Sequence, residues 1–189
     1  MTPGFRRFSV EEYHRLTATG LLTENDNVEL LEGYVVQKAA RNPPHDGTLH
    51  RVFKQLAKLL PAGWDLRVQS AVTLVDSEPE PGIAGVREDA DGYTTRHPGA
   101  ADIGLIIEVS DSTLPGDRAD KGRIYARAGI ACYWIVNLVD RQVEVYTLPS
   151  GPSVSPRYAQ RQDHRAGDVI ALELEGRAIS TIHVHDILP

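Results

Sequence analysis

Asp102-Ile103-Gly104-Leu105-Ile106-Ile107-Glu108-Val109-Ser110 is the stretch on which the fold turns. Ile103, Leu105, Ile106, Ile107 and Val109 make it almost continuously apolar, the pattern of a strand covered on both faces at the centre of an α/β sheet. A carboxylate inside such a strand is expensive unless a cation meets it, which singles out Glu108. The next helical stretch, Asp117 to Ala128 closed by Gly129, carries Lys121 and is near enough in sequence to fold back over the strand end.

Working outward, Ser9 followed by Glu12 is a capping box, and Val10, Tyr13 and Leu16 recur at helical spacing until Gly20. Val28 to Ala39 reads as a strand entered through Glu-Leu-Leu-Glu-Gly, and Asn42-Pro43-Pro44 as a break. Leu49 to Leu60 is a helix whose apolar face is Leu49, Val52, Phe53, Leu56, Leu59 and Leu60. On another face Arg51, Lys54 and Lys58 share a side, either as a solvated surface or as a phosphate-facing one. Trp64 to Val75 and Gly82 to Val86 are further strands. Ala131 to Leu138 and Gln142 to Leu148, joined by Val139-Asp140-Arg141, form a hairpin. Leu148 to Pro156 is a loop and Val169 to Leu174 a strand; the tail has no assignment. The sum is one α/β or α+β domain spanning residues 1–189.

Composition narrows the function classes. Apolar residues are 41% and charged residues 24% of 189, which is globular and excludes a disordered chain. The net charge of −6 excludes coating of nucleic acid by bulk charge but permits a local basic face. No uninterrupted apolar stretch approaches a membrane span, and no signal peptide is visible behind Arg6 and Arg7. Cys132 is the single cysteine, reads as a small core residue beside Tyr133 and Trp134, and makes a reducing cytoplasm the default location.

Three carboxylates and a lysine stand out for chemistry: Glu29, Glu80, Glu108 and Lys121. Two acids converging with a lysine suit metal-assisted phosphodiester hydrolysis, in which the ion polarises the phosphate and the lysine orients water. A paired structural glutamate and a solvated helix lysine account for the same spacing equally well. His45 follows Pro43-Pro44 and has both a helix-start reading and a site reading. His183 and His185 lack a third metal ligand.

Taken in order, the motifs resemble those of one family. They are Glu29-Leu30-Leu31-Glu32-Gly33, Pro44-His45, Glu80-Pro81-Gly82-Ile83-Ala84, Ile107-Glu108-Val109-Ser110-Asp111-Ser112-Thr113, Asp117-Arg118, Lys121, Tyr125-Ala126, Gly129-Ile130 and Tyr133-Trp134-Ile135-Val136. The chain is similar to the bacterial putative restriction endonuclease family, a cyanobacteria-rich branch of the PD-(D/E)XK superfamily, from about Phe8 to Leu148. The resemblance implies a restriction-endonuclease-like α/β core, a mixed central sheet flanked by helices, and Mg²⁺- or Mn²⁺-dependent cleavage of DNA. It assigns Glu108 as metal ligand, Glu29 as supporting acid, and Lys121 as the migrated catalytic lysine, Ser110 standing where the superfamily's lysine usually does. A homodimer that cuts both strands is the assembly such nucleases often adopt.

One departure is decisive. The family's motif reads Pro-Asp where this chain reads Pro81-Gly82, so the main metal-binding carboxylate is missing. Glu80, two residues away, or Asp102 are the candidate substitutes. The alternative is a catalytically degenerate nuclease fold that binds nucleic acid or a protein; a purely structural domain is the remaining class.

Overall fold

Ser9 caps the first helix as its spacing predicts. Its hydroxyl accepts from the Glu12 backbone N–H at 3.1 Å and the Glu12 carboxylate accepts from the Ser9 N–H at 3.0 Å, starting α1 (Val10–Ala18). The computed structural model describes residues 5–189. The expected single strand Val28 to Ala39 is instead a hairpin, β1 (Val28–Leu31) and β2 (Tyr34–Gln37). Its turn residues Glu32 and Gly33 have φ of 49° and 81°, the two positive values a tight two-residue hairpin turn demands.

α2 (Pro43–Leu59) begins earlier than the apolar periodicity indicates. Asn42 is its N-cap, accepting from the His45 N–H at 3.0 Å, and the prolines occupy first-turn positions where an N–H is dispensable. The Asn-Pro-Pro break is therefore a helix start. β3 (Trp64–Val68) ends where Gln69 turns left-handed at φ 49°, and β4 (Ile83–Arg87) follows.

The diagnostic stretch forms β5 (Ile103–Ser110), buried at every position. A crossover of α3 (Leu114–Gly116), a π-helical turn (Asp117–Lys121) and α4 (Gly122–Arg127) then leads to β6 (Cys132–Asn137). β7 (Gln142–Pro149), β8 (Tyr158–His164), β9 (Val169–Leu174) and β10 (Arg177–His183) complete the chain.

Six strands form one mixed sheet in the order β3-β4-β5-β6-β7-β8, antiparallel except for the β5–β6 pair. β1–β2 and β9–β10 are separate hairpins. Alternation along β5 sends Leu105, Ile107 and Val109 into a core shared with α2 and the β9–β10 hairpin. Ile106 faces the other core, with Ile124 and Tyr125 of α4 and Leu114 of α3. The mixed α/β architecture with helices against the central sheet is thus as expected. Tyr133 and Trp134 are fully buried, and Trp134 Nε1–H donates to Cys132 Sγ at 3.2 Å; burial pushes the Cys132 thiol up to about 12, so it stays protonated.

Gly104 makes room for the Trp64 side chain, which reaches over from β3 two strands away: a Cβ there would overlap its six-membered ring, whereas one at Gly85 meets only Leu174 and Leu105 at 3.5 and 3.6 Å. Gly104→Ala should therefore cost about 1–3 kcal/mol in urea unfolding, the usual range for overpacking. Gly85→Ala should cost almost nothing. Equal stability of the two variants would disprove the close approach.

Candidate active site

Glu108 points away from the α2 core, toward the crossover. The π-helical turn that opens the crossover places Asp117 and Lys121 on one side, and Tyr125 follows one turn later in α4. Lys121 Nζ stands 3.0 Å from Glu108 Oε1, 3.5 Å from Glu29 Oε1 and 3.9 Å from Asp117 Oδ1. All four side chains are largely buried. The strand carboxylate thus has its cation.

Each remaining oxygen also has a partner. Tyr125 O–H donates to Glu108 Oε1 at 3.0 Å, and the Gly82 backbone N–H donates to Glu108 Oε2 at 3.1 Å. Glu29 Oε2 accepts from the Glu80 N–H at 3.0 Å, so Glu29 holds the backbone just ahead of position 82. Ser110 O–H donates to Asp117 Oδ2 at 2.7 Å and Tyr133 O–H to the Asp117 carbonyl at 3.0 Å, which locks the π turn onto the end of β5. Glu80 itself is turned to Lys38, Nζ to Oε2 at 2.5 Å.

Electrostatics follow from burial. Desolvation drives the Glu108 carboxyl up to about 7; Lys121 opposes this, while Asp117 and Glu29 reinforce it. Desolvation works against the Lys121 charge too, but three surrounding carboxylates outweigh it and hold the ammonium above its ordinary range. One full positive charge faces three acids, and burial in the sheet makes Glu108 easier to protonate than an ordinary glutamate.

These groups open onto a cavity of about 520 Å³ at the C-terminal end of β5, bounded by Glu29, Lys38, Arg41, His45, Glu80 and Gly82. It therefore gathers the predicted Glu29, Glu80, Gly82, Glu108 and Lys121. Asp102 is not among them: its carboxylate pairs with Arg96 and accepts from the Gly99 N–H at 2.8 Å, closing the turn before β5. As a substitute ligand it is ruled out by position. Arg51, Lys54 and Lys58 are exposed on α2 and do not line this cavity; the Arg51 guanidinium donates to the Leu188 carbonyl at 2.9 Å. His45 lines the cavity and its backbone is capped by Asn42, so both readings of it describe the same residue. Asp117 and Tyr125 stand among the quoted motifs but receive no site role from sequence. Their signal was present, since Asp117, Lys121 and Tyr125 are spaced four apart on one helical face.

The chain belongs to the Uma2 family, described as putative restriction endonuclease, whose model matches residues 10–181. Among solved structures it is similar to a putative nuclease belonging to DUF820 from Anabaena variabilis ATCC 29413. That crystal structure superposes with a TM-score of 0.70 at 13% identity, covering 95% of this chain and 97% of the other. At that identity the likeness establishes the restriction-endonuclease-like fold. No curated protein matches the sequence. No helix among the described residues is long and apolar enough to cross a membrane.

Families of this kind generally use divalent metals. The donor chemistry here is suitable, because carboxylate oxygens are hard ligands of the type Mg²⁺ takes. The arrangement is not: both Glu108 oxygens already accept hydrogen bonds, an ammonium stands among the three buried acids, and Glu80 is spent on Lys38. Among the described residues no three His, Cys, Asp or Glu side chains group to hold a metal ion. As arranged, these residues do not make a cage for a divalent cation.

The raised Glu108 group sets a pH signature. Its folded value lies above the ordinary 4.5, so the folded state retains a proton that the unfolded chain has lost. Its stabilising contribution is complete below about 4.5 and is lost as pH rises toward about 7. Chemical denaturation of the wild type and Glu108→Gln across this window should give stabilities that diverge, the variant gaining on the wild type as pH rises. Parallel curves would contradict the buried, protonatable assignment.

Proposed function

We propose that the chain acts on DNA phosphodiesters from the Glu108–Lys121 centre, and that its Mg²⁺- or Mn²⁺-dependent hydrolysis is impaired at position 82. The observation that carries this reading is the contact of the Gly82 backbone with Glu108 Oε2. Position 82 adjoins the buried acid, where the family pattern has an aspartate, and here it brings no carboxylate. Lys121 supplies a fixed positive charge to a phosphate in the cavity. Glu108 would be the buried ligand of the ion, and Lys121 beside it would orient the attacking water. Glu29 supports the centre by fixing the Glu80 backbone, and Asp117 by holding Lys121. Glu80 is the further ligand we assign for a divalent ion beside Glu108, and it must first release Lys38.

The missing cage favours a second reading, a degenerate centre on a nucleic-acid-binding module. A cytoplasmic setting accords with the single buried cysteine, and a homodimer would allow both strands to be cut. Arg51, Lys54 and Lys58 remain the proposed basic face for flanking duplex. Any binding through it should weaken steeply with salt, because each phosphate neutralised releases counterions.

The test is plasmid nicking with Mg²⁺ or Mn²⁺, with EDTA as control. Gly82 lies outside the left-handed region, so an aspartate there meets no backbone strain. It does meet packing: a Cβ would stand 3.0 Å from the Ile107 carbonyl oxygen and 3.2 Å from Leu49 Cδ1. We expect wild-type nicking to be slow or absent. Gly82→Asp should bind Mn²⁺ in a calorimetric titration and nick faster, at a stability cost of about 1–3 kcal/mol that Leu49→Val partly relieves. Rapid, EDTA-sensitive cleavage by the wild type would defeat the impairment. A folded Gly82→Asp protein with neither metal binding nor cleavage would favour the binding module.

A further inference from the structure

A second cavity, of about 700 Å³, adjoins the first and shares Asn27, Lys38, Gln69 and Glu80 with it. It lies between α1 and the loops that flank β3 and β4. The Lys38–Glu80 ion pair stands on the common wall. Its volume is within the range of small-ligand sites, about 300–1,000 Å³.

Its wall is furnished with hydrogen-bonding groups that the fold does not use. Arg67 Nε and His97 Nδ1 are both buried atoms without a hydrogen-bond partner among the described residues, and both residues line this cavity. Buried unpaired nitrogens are costly, the more so on a guanidinium whose charge is permanent. The rest of Arg67 is well held: its guanidinium lies over the Tyr93 ring at 5.4 Å, so Nε is fixed in place. A third group is prepared in another way. His14 Nε2 is 2.6 Å from Glu78 Oε2, and that carboxylate is buried and also accepts from Thr73 O–H at 2.8 Å. Glu78 thereby sets the ring's orientation and leaves Nδ1 available on a half-exposed imidazole.

We propose that this cavity is a subsite for one unpaired nucleotide of a DNA strand, adjoining the phosphate that lies over Glu108 and Lys121. The inference rests on the proposed action on DNA and adds where the strand goes and in what form. A polynucleotide leaving the first cavity would reach the second past the residues the two share, Asn27, Lys38, Gln69 and Glu80. Arg67 and His97 supply hydrogen bonds to phosphate or base edge, and His14 supplies another. A duplex is too wide to enter a recess of this size, so the occupant is a single-stranded or everted nucleotide.

The orphaned atoms make the test clean. Removing the His97 ring breaks no side-chain hydrogen bond among the described residues, so the fold should keep its stability while binding suffers, whereas removing the Arg67 guanidinium also forfeits its 3.5 Å contact with the Gly92 carbonyl and its place over Tyr93. The full chain is titrated in EDTA against a short fluorescein-labelled oligodeoxynucleotide, single-stranded and as its duplex, by anisotropy, with melting temperatures recorded for every variant. We expect tighter binding of the single strand. His97→Ala should weaken it about tenfold with no fall in melting temperature, and Arg67→Met about tenfold with a small fall, while exposed Arg165→Ala leaves it unchanged. Should the Arg67 variant misfold, His97→Ala, which loses no packing partner of comparable size, decides the matter alone. Equal binding of strand and duplex, or affinity unmoved in both cavity variants, overturns the subsite and leaves the action on DNA standing. No binding of either DNA form by the wild type overturns both.

Discussion

The structure depends on one buried ion pair. Glu108 sits in a strand with no exposed position, where an isolated carboxylate would not tolerate its charge, and Lys121 is the cation that makes the position tenable. Because β5 and β6 run parallel, the chain between them must cross over the sheet face, and that crossover is what carries the lysine. The π-helical turn and α4 bring Lys121 and Tyr125 to Glu108, while Asp117 faces the Lys121 ammonium from the same turn. Removing the lysine leaves three buried acids without their cation, a loss of about 3–5 kcal/mol by analogy with other buried pairs, whereas removing Glu108 leaves Lys121 with Glu29 and Asp117. Stability and chemistry therefore compete for the same four side chains.

Much of the fold was legible because its signals were local and redundant. The apolar run of β5, the Ser9 capping box, the helical stripe of α2 and the β6–β7 hairpin each rest on several residues saying the same thing. What escaped had a physical reason. The β1–β2 turn was hidden because Glu32, not a residue associated with positive φ, occupies its first position. β8 (Tyr-Ala-Gln-Arg-Gln-Asp-His) is a polar edge strand, and its lack of apolar alternation is what protects an edge from pairing with another chain. β10 is read only through its partner β9, with a register shift between Ala178 and Ser180 that breaks any simple alternation.

The site was legible to a different depth. Glu108 announced itself by being charged among apolar neighbours, and Lys121 by lying one crossover away. Glu29 stood out by position and took its supporting role from the family pattern, which also marked Gly82, and the geometry brings both to the same cavity. Asp102 failed as a candidate because a residue at the head of a strand lies at the opposite end of β5 from Glu108, where Arg96 and the Gly99 N–H claim it. The α2 lysines illustrate a further limit: periodicity tells which residues share a face, but not whether that face looks toward the site.

A protein with a net charge of −6 cannot attract a polyanion by its overall field, so any nucleic acid it holds must be held by the placement of individual donors. Around the first cavity the cations are largely committed: Lys121 to three acids and Lys38 to Glu80. A phosphate arriving there competes with carboxylates for ammonium groups, and this lowers what each contact adds to binding. In the second cavity the balance is reversed, since Arg67 Nε and His97 Nδ1 have nothing to give up. Affinity and chemistry are therefore separable in this fold. On the proposed reading, a strand would be gripped where hydrogen bonds are unspent and its phosphate presented where the charges are already engaged. A centre that has lost the carboxylate at position 82 can lose hydrolysis without losing the means to hold a strand. On that reading the two properties would fail separately where they rest on Glu108 and Lys121 on one side and on Arg67 and His97 on the other, and together at the shared Lys38–Glu80 wall.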